Sequence, residues 1–370
     1  MKYDDAELVA SEGTEAGIGT DFTFTIKPLP GEEIKEVINR LAVTLKNANK
    51  TIVNLMVFGS VSACPAVDKA MRRVFGQIHW PITWVEGAAS GDQPIAGMQV
   101  FAFCADQVKP VMLGGQVVGS VFEDGSMRHC LLGGLVPSQS SAARPDQFRQ
   151  TLDHLQTALK QAGFSLGDVI RTWFYLDELL SWYDGFNEAR IQAYAGVKFR
   201  GGSSPASTGI SGRNPAGTAL VAGAWAMQPL HSDTRVEEIQ SPLQCPAAAY
   251  GSLFSRAMEI TSLHDRRLLI SGTASIAPEG QTLWPGDLRR QIDLTMQVVE
   301  SILTSRGFAF SDITRATAYF KNRADIPEFS AWCADRGLRS LPVISVQCGI
   351  CRDDLLFELE ADARRSPPGS

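Results

Sequence analysis

Leu355-Leu356-Phe357-Glu358-Leu359-Glu360-Ala361 is an apolar strand that carries two carboxylates, and its neighbourhood decides the fold. A carboxylate in such a strand is expensive to bury without a purpose. The stretch closes a segment that begins with Pro342-Val343-Ile344-Ser345-Val346. Two earlier runs match that opening: Pro81-Ile82-Thr83-Trp84-Val85 and Pro205-Ala206-Ser207-Thr208-Gly209. The residues standing 16 places after the three prolines are Gly97, Val221 and Glu358. Two copies lack the carboxylate, so the module does not need it to fold. One chemical site per chain, in the third copy, is the expectation.

Reading outward, each proline-led run follows the same elements. Ile34, Val37, Ile38, Leu41 and Leu45 share one helical face, as do Phe148, Leu152, Leu155 and Leu159, and Leu288, Ile292, Met296, Val299 and Leu303. Spacings of three and four mark amphipathic helices lying on a sheet. A strand follows each helix, at 52–58, 169–175 and 313–319. A shorter helix comes next, at 66–75, 180–194 and 326–335, and then the proline-led pair of strands. Front strand pairs are read at 116–122 with 130–135 and at 254–260 with 268–276, whereas the first copy keeps only 21–26.

A sheet with helices on one face must cover the other. Three copies therefore predict a pseudo-threefold assembly, with helices outside, sheets inside and clefts between modules. The expected class is α/β (α+β), with modules at 1–115 (degenerate), 116–240 and 241–363, and a disordered tail at 364–370.

Composition narrows the function. The chain has 370 residues, 44% hydrophobic and 20% charged, as in an ordinary globular protein. A net charge of −6 without a long basic run argues against nucleic acid as a partner. No apolar stretch approaches the ~20 residues of a membrane span, and the first residues carry no signal-peptide pattern. Seven scattered cysteines fit a reducing cytoplasm better than a disulfide framework. Cys348 and Cys351 form one isolated C-x-x-C between strands, without the second ligand pair that zinc wants. Neither metal nor organic cofactor is expected.

At this point the residues resemble a family. The module is similar to the RidA/YjgF (chorismate-mutase-like) fold, which normally assembles as a homotrimer with clefts between subunits. Three fused modules narrow the likeness, together with five stretches. These are 205–215 (Pro-Ala-Ser-Thr-Gly-Ile-Ser-Gly-Arg-Asn-Pro), 182–190 around Tyr183 and Arg190, 250–257 from Tyr250 to Ala257, 271–276 including Ala274, and 350–358. Together they resemble the chorismatase family, well over 115–363 and in outline before that. Ser211 and Phe357 depart from the family pattern; Phe357 alternates away from Glu358, so its effect falls on packing.

The resemblance implies chorismate as the substrate of a pseudo-trimeric monomer, with pyruvate as one product. It implies Glu358 as the catalytic acid and Arg352 as a carboxylate-binding group. It also implies Cys351 beside the substrate in members that make a hydroxybenzoate, the alternative being a buried small hydrophobe. Tyr250, Arg256 and Ala274 are further candidate substrate contacts. Arg213, in the matching turn of the second module, either reaches a neighbouring cleft if the modules pack cyclically or pins its own loop.

The chemistry agrees with the residue types. Cleaving an enolpyruvyl ether at neutral pH needs an acid of raised pKa, and an apolar strand raises a carboxyl pKa. Guanidinium groups suit carboxylates. Alternatives stay open at each position: a solvent-facing Glu358, a structural Glu360, and an Arg352 paired with Asp353 or Asp354. Trp182, Tyr183 and Phe186 read as core rather than ligand contacts. A RidA-like enamine deaminase would want an arginine two residues after the proline, where Thr83, Ser207 and Ile344 stand. A non-catalytic ligand-binding protein would leave Glu358 exposed with no cavity beside it.

Overall fold

The computed structural model describes residues 21–104 and 108–366. The first sheet holds β1 (Phe22–Ile26), β2 (Lys50–Gly59), β3 (Ile82–Glu86) and β4 (Ile95–Cys104), in the order β1-β4-β2-β3. Helices α1 (Ile34–Asn47) and α2 (Cys64–Phe75) cover it. The second module supplies β5 (Lys109–Leu113), β6 (Gln116–Glu123), β7 (Met127–Leu135), α3 (Arg144–Gln161), β8 (Val169–Leu176), α4 (Tyr183–Tyr194), β9 (Ala206–Ser211) and β10 (Leu220–Pro229). The third repeats it with β11 (Arg235–Ile239), β12 (Ala257–Thr261), β13 (Arg266–Ala274), α5 (Leu288–Ser305), β14 (Ile313–Phe320), α6 (Ile326–Asp335), β15 (Val343–Gln347) and β16 (Phe357–Arg365). Their six-stranded sheets run β5-β6-β7-β10-β8-β9 and β11-β12-β13-β16-β14-β15.

Register settles the alignment of the copies. Gly97 lies opposite Phe58, Val221 opposite Tyr175, and Glu358 opposite Tyr319. These three ring-bearing residues meet where the modules converge. Phe58 stands 6.0 Å from Tyr175 and 6.2 Å from Tyr319 between ring centroids, both edge-on. The two phenol oxygens are 3.5 Å apart. Around them one apolar cluster draws on the inner faces of all three sheets, while each outer face packs on its own helices. Each fully buried aromatic ring in that cluster is worth about 1.5–3 kcal/mol of transfer free energy. The pseudo-trimer and its eroded first sheet are therefore as the repeat predicts.

Several details differ from the sequence reading. The two strands of each proline-led pair do not hydrogen-bond to each other. The central strand lies between them: β2 pairs parallel with β3 and antiparallel with β4, and β14 does the same with β15 and β16. The connection between the two is too long for a tight hairpin, and the parallel partner must cross over. Two edge strands, β5 and β11, add to the elements that the sequence pattern predicts. Both are short and rich in charged or exposed residues, which suits an edge and hides the alternation. Their membership divides the sheets between Cys104 and Lys109 and between Pro229 and Arg235, ahead of the expected 115 and 240. At the far end β16 runs through Arg365, so Arg364 and Arg365 continue the strand. Residues 367–370 of the expected tail lie outside the described residues.

Candidate active site

A cavity of about 530 Å³ opens between the second and third modules. Its walls come from α4 and β9 on one side and from β13, β16 and the loops before β12 and β16 on the other. Glu358 lines it and is only 4% exposed, so the carboxyl faces the cavity rather than bulk solvent. Burial raises its pKa to about 8, helped by the negative charge of Glu360 and opposed by Arg171 and Arg256. Those surroundings favour the protonated carboxyl at neutral pH.

The backbone makes room for that carboxyl. Between Ile270 and Thr273 the β13–β16 register shifts, placing a bulge at Ser271-Gly272. A Cβ on Gly272 would sit 2.0 Å from Glu358 Oε1. The corresponding bulge in the second module falls between Ala222 and Ala224, beside Val221. Across the module boundary Ser207 lines the cavity two residues after its proline. At the boundary between the third and first modules, Ile344 occupies that place. An added Cβ on Gly97 would lie 3.0 Å from Ile344 Cδ1. A small residue at 207 and a glycine at 272 open around Glu358 a space that isoleucine fills at Gly97.

Three guanidinium groups reach the cavity wall: Arg190, Arg256 and Arg352. Arg256 is buried, and its Nε and Nη2 donate to the Cys245 carbonyl at 3.0 and 2.8 Å. Arg190 Nη2 donates to Asn187 Oδ1 at 2.7 Å and lies over the Phe186 ring. Arg352 Nη1 donates to the Gly280 carbonyl at 2.8 Å, tying the loop between β13 and α5 to the cavity rim. Cys351 is partly buried there, and burial pushes its thiol up to about 12, so it stays neutral. Ala274 pairs with Glu358 across the sheet and lines the same cavity.

Two expectations need correction and one falls outside view. Arg213 is not at this cavity. It pairs with Glu86 of the first module and lies, largely exposed, in a separate basin where all three modules meet. Its turn matches that of Arg352, but the cyclic order of modules aims it at a different boundary. Tyr183 is not only the core residue that its apolar spacing predicts. Its ring does stack on Phe186, yet it also lines the cavity, with Ser252 and Cys351 neighbouring its phenol. Burial pushes that phenol well up. The start of α4, where helix and cavity meet, gave no signal in the apolar spacing. The side chain of Tyr250 lies outside the described residues.

Glu360 faces the same side of β16 but is wholly buried. It receives Arg171 Nη2 at 2.5 Å, Arg315 Nη1 at 2.8 Å and Trp173 Nε1 at 3.0 Å. Thr208 Oγ1 also donates to it. These neighbours outweigh burial and hold its pKa down at about 2. Among the described residues no group of three or more histidine, cysteine, aspartate or glutamate side chains is placed to hold a metal ion.

Residues 246–364, the third module, match the family described as endoribonuclease L-PSP. A chorismatase of Streptomyces hygroscopicus is 26% identical over 231 residues, covering 56% of this chain and 65% of that protein. The match thus spans just under two thirds of the relative's length. A RutC family protein of Pyrococcus horikoshii is 27% identical over 97 residues, 26% of this chain and 77% of its own. A crystal structure of chorismatase superposes with a TM-score of 0.67 at 18% identity, over 94% of this chain and all of that one. The chain has the chorismatase fold. The three-sheet order, the fused modules and the L-PSP match of the third module belong to that one architecture. No described helix is long and apolar enough to cross a membrane.

Proposed function

We propose that the chain is a chorismatase that cleaves the enolpyruvyl ether of chorismate without metal or organic cofactor. The observation that carries this reading is a buried carboxyl facing a cavity whose walls bear guanidinium groups, in surroundings that raise its pKa. At about 530 Å³ the cavity falls within the ~300–1,000 Å³ usual for small-molecule sites.

Glu358 gives its proton to the methylene carbon of the enol ether. The ether carbon becomes an oxocarbenium ion, and the new glutamate anion stands beside it. In hydrolysis, water adds to that carbon and returns a proton to Glu358. The hemiketal then collapses to pyruvate and a dihydroxycyclohexadiene carboxylate. In the alternative outcome, capture from within the molecule and loss of pyruvate leave a hydroxybenzoate, with no net consumption of water. The neutral Cys351 thiol and the Tyr183 phenol border the space where water would enter, and 3-hydroxybenzoate is the favoured aromatic product.

Arg352 and Arg256 are assigned to the two substrate carboxylates, whose planar oxygens match guanidinium forks. A carboxylate on Arg352 shares that fork with the Gly280 carbonyl, so binding and the position of the 275–287 loop are coupled.

Incubating the protein with chorismate and following pyruvate enzymatically, with aromatic products separated by chromatography, tests the proposal. Pyruvate release that Glu358→Gln abolishes is the expected result. Absence of pyruvate from the wild-type reaction sinks it.

A further inference from the structure

Glu360 is a second carboxylate on the catalytic face, and the chemistry just described does not use it. It follows Glu358 by two residues, which puts the side chains on one face with Cα atoms about 6–7 Å apart. Both are inside the protein. The strand position it occupies carries Gln99 in the first module and Gly223 in the second. Gln99 is equally buried and accepts from Thr25 Oγ1 at 2.9 Å while donating to the Ala316 carbonyl at 2.8 Å. A neutral residue therefore serves this position elsewhere in the chain. The third module instead holds an anion and surrounds it with two buried arginines.

We propose that Glu360 is a positioning residue whose fixed negative charge, anchored by Arg171 and Arg315, keeps Glu358 protonated and able to act as an acid. This rests on the reading of Glu358 as the proton donor.

The geometry supplies the mechanism. Arg171 belongs to β8 of the second module and reaches across the boundary to Glu360. Arg315, from β14, bonds Glu360 and Asp362 together. Thr208 links the parts: its Oγ1 donates to Glu360, receives Arg171 Nη2 at 2.8 Å, and receives the Gly272 amide at 3.2 Å. That amide belongs to the glycine that makes room for the Glu358 carboxyl. Proton-donor position and neighbouring charge are thus fixed by one hydrogen-bonded set.

The groups facing Glu358 are Glu360 on its own strand, Arg171 across the boundary, Arg256 before β12, and Cys351 and Tyr183 at the rim. Tyr319 stands opposite on β14, and burial holds its phenol neutral. Arg352 also lines the cavity, as do Asp184, Glu188 and Arg190 of α4. Of the carboxylates among these, Asp184 and Glu188 are exposed at the mouth, and Glu360 is the one buried beside Glu358 on its own strand. Its removal strips away the repulsion and leaves Arg171 as an uncompensated cation. Removal of Arg171 has the reverse effect, while Arg315 continues to pair with Glu360.

The test is a pH titration of the protonated-carboxyl infrared band of the full chain without substrate. Glu358→Gln assigns the band by its loss. Glu360→Gln should move the midpoint down by about 1–2 pH units, and Arg171→Met should move it up. The high-pH limb of turnover, where turnover is present, should follow in the same directions. A structural role alone would move neither midpoint, and midpoints that stay put or move together overturn the proposal. Should Glu360→Gln fail to fold, the Arg171→Met shift still decides, since upward supports and any other direction refutes. If the wild type releases no pyruvate but the midpoints move oppositely, the functional reading fails and the charge assignment stands.

Discussion

Gly272 and Glu358 are matched by shape: a Cβ on the glycine would stand 2.0 Å from Oε1 of the acid. The clashing atom is the far end of a side chain, not backbone. Gly272→Ala should therefore displace the carboxyl at little cost to folding. A misplacement of about 1 Å can cost ~10²-fold in rate. Turnover of chorismate should fall by at least that factor while the melting temperature moves by only a few degrees. Parallel measurement of pyruvate release and thermal unfolding checks this, and a variant with near-normal turnover would remove the matching from the argument.

Arg352 and Arg213 occupy equivalent turns, and only Arg352 borders the cavity. Arg352→Ala should raise the Michaelis constant for chorismate by an amount equal to losing a charge-assisted pair, about 1.5–3 kcal/mol. Arg213→Ala should leave that constant alone, since its partner is Glu86 of the first module. Steady-state kinetics on both variants separates the two turns.

That contrast also marks the limit of what the chain displays. Sequence spacing finds the three copies because helix period, strand run and opening proline recur together. It finds Glu358 because Gly97 and Val221 stand in register with it, as the strand pairing confirms. Which boundary a turn faces depends on the cyclic packing of modules, so Arg213 looks equivalent to Arg352 in sequence and is not in space. Tyr183 sits where a helix passes from core to cavity, and apolar spacing cannot distinguish those two sides. The partners of Glu360 come from strands more than 40 residues away, Arg171 and Arg315, so the sequence leaves it as a second carboxylate without a role.

Ser207 stands where the closed boundary has Ile344, and its small side chain helps keep the cavity open. Ser207→Ile should fill that space beside Glu358. Its hydroxyl also receives Thr172 Oγ1 at 2.9 Å, so a modest loss of stability, about 1–3 kcal/mol, should accompany the change. Chorismate binding should be lost far beyond that effect. Calorimetric titration of a catalytically inactive background, Glu358→Gln with and without Ser207→Ile, reads the binding directly; equal affinities would show that the substrate lies elsewhere.

Glu358→Gln carries the sharpest prediction because activity and stability should move in opposite directions. Glutamine keeps the shape and cannot deliver a proton, so turnover should fall by at least ~10²–10⁴-fold. The folded carboxyl titrates at about 8 against 4.5 for an ordinary glutamate. Between those values the folded state holds one more proton than the unfolded state. The stability it contributes is therefore fully present below pH 4.5 and is lost as pH rises towards 8. Glutamine does not titrate, so the variant should match the wild type near pH 4 and become the more stable protein as pH rises. The gap should level off above pH 8, at a few kcal/mol to order of magnitude. Denaturant unfolding of both proteins across that range measures it. A gap that stays constant with pH would mean Glu358 is ionised in the folded protein, and a carboxylate already ionised at neutral pH is not the acid.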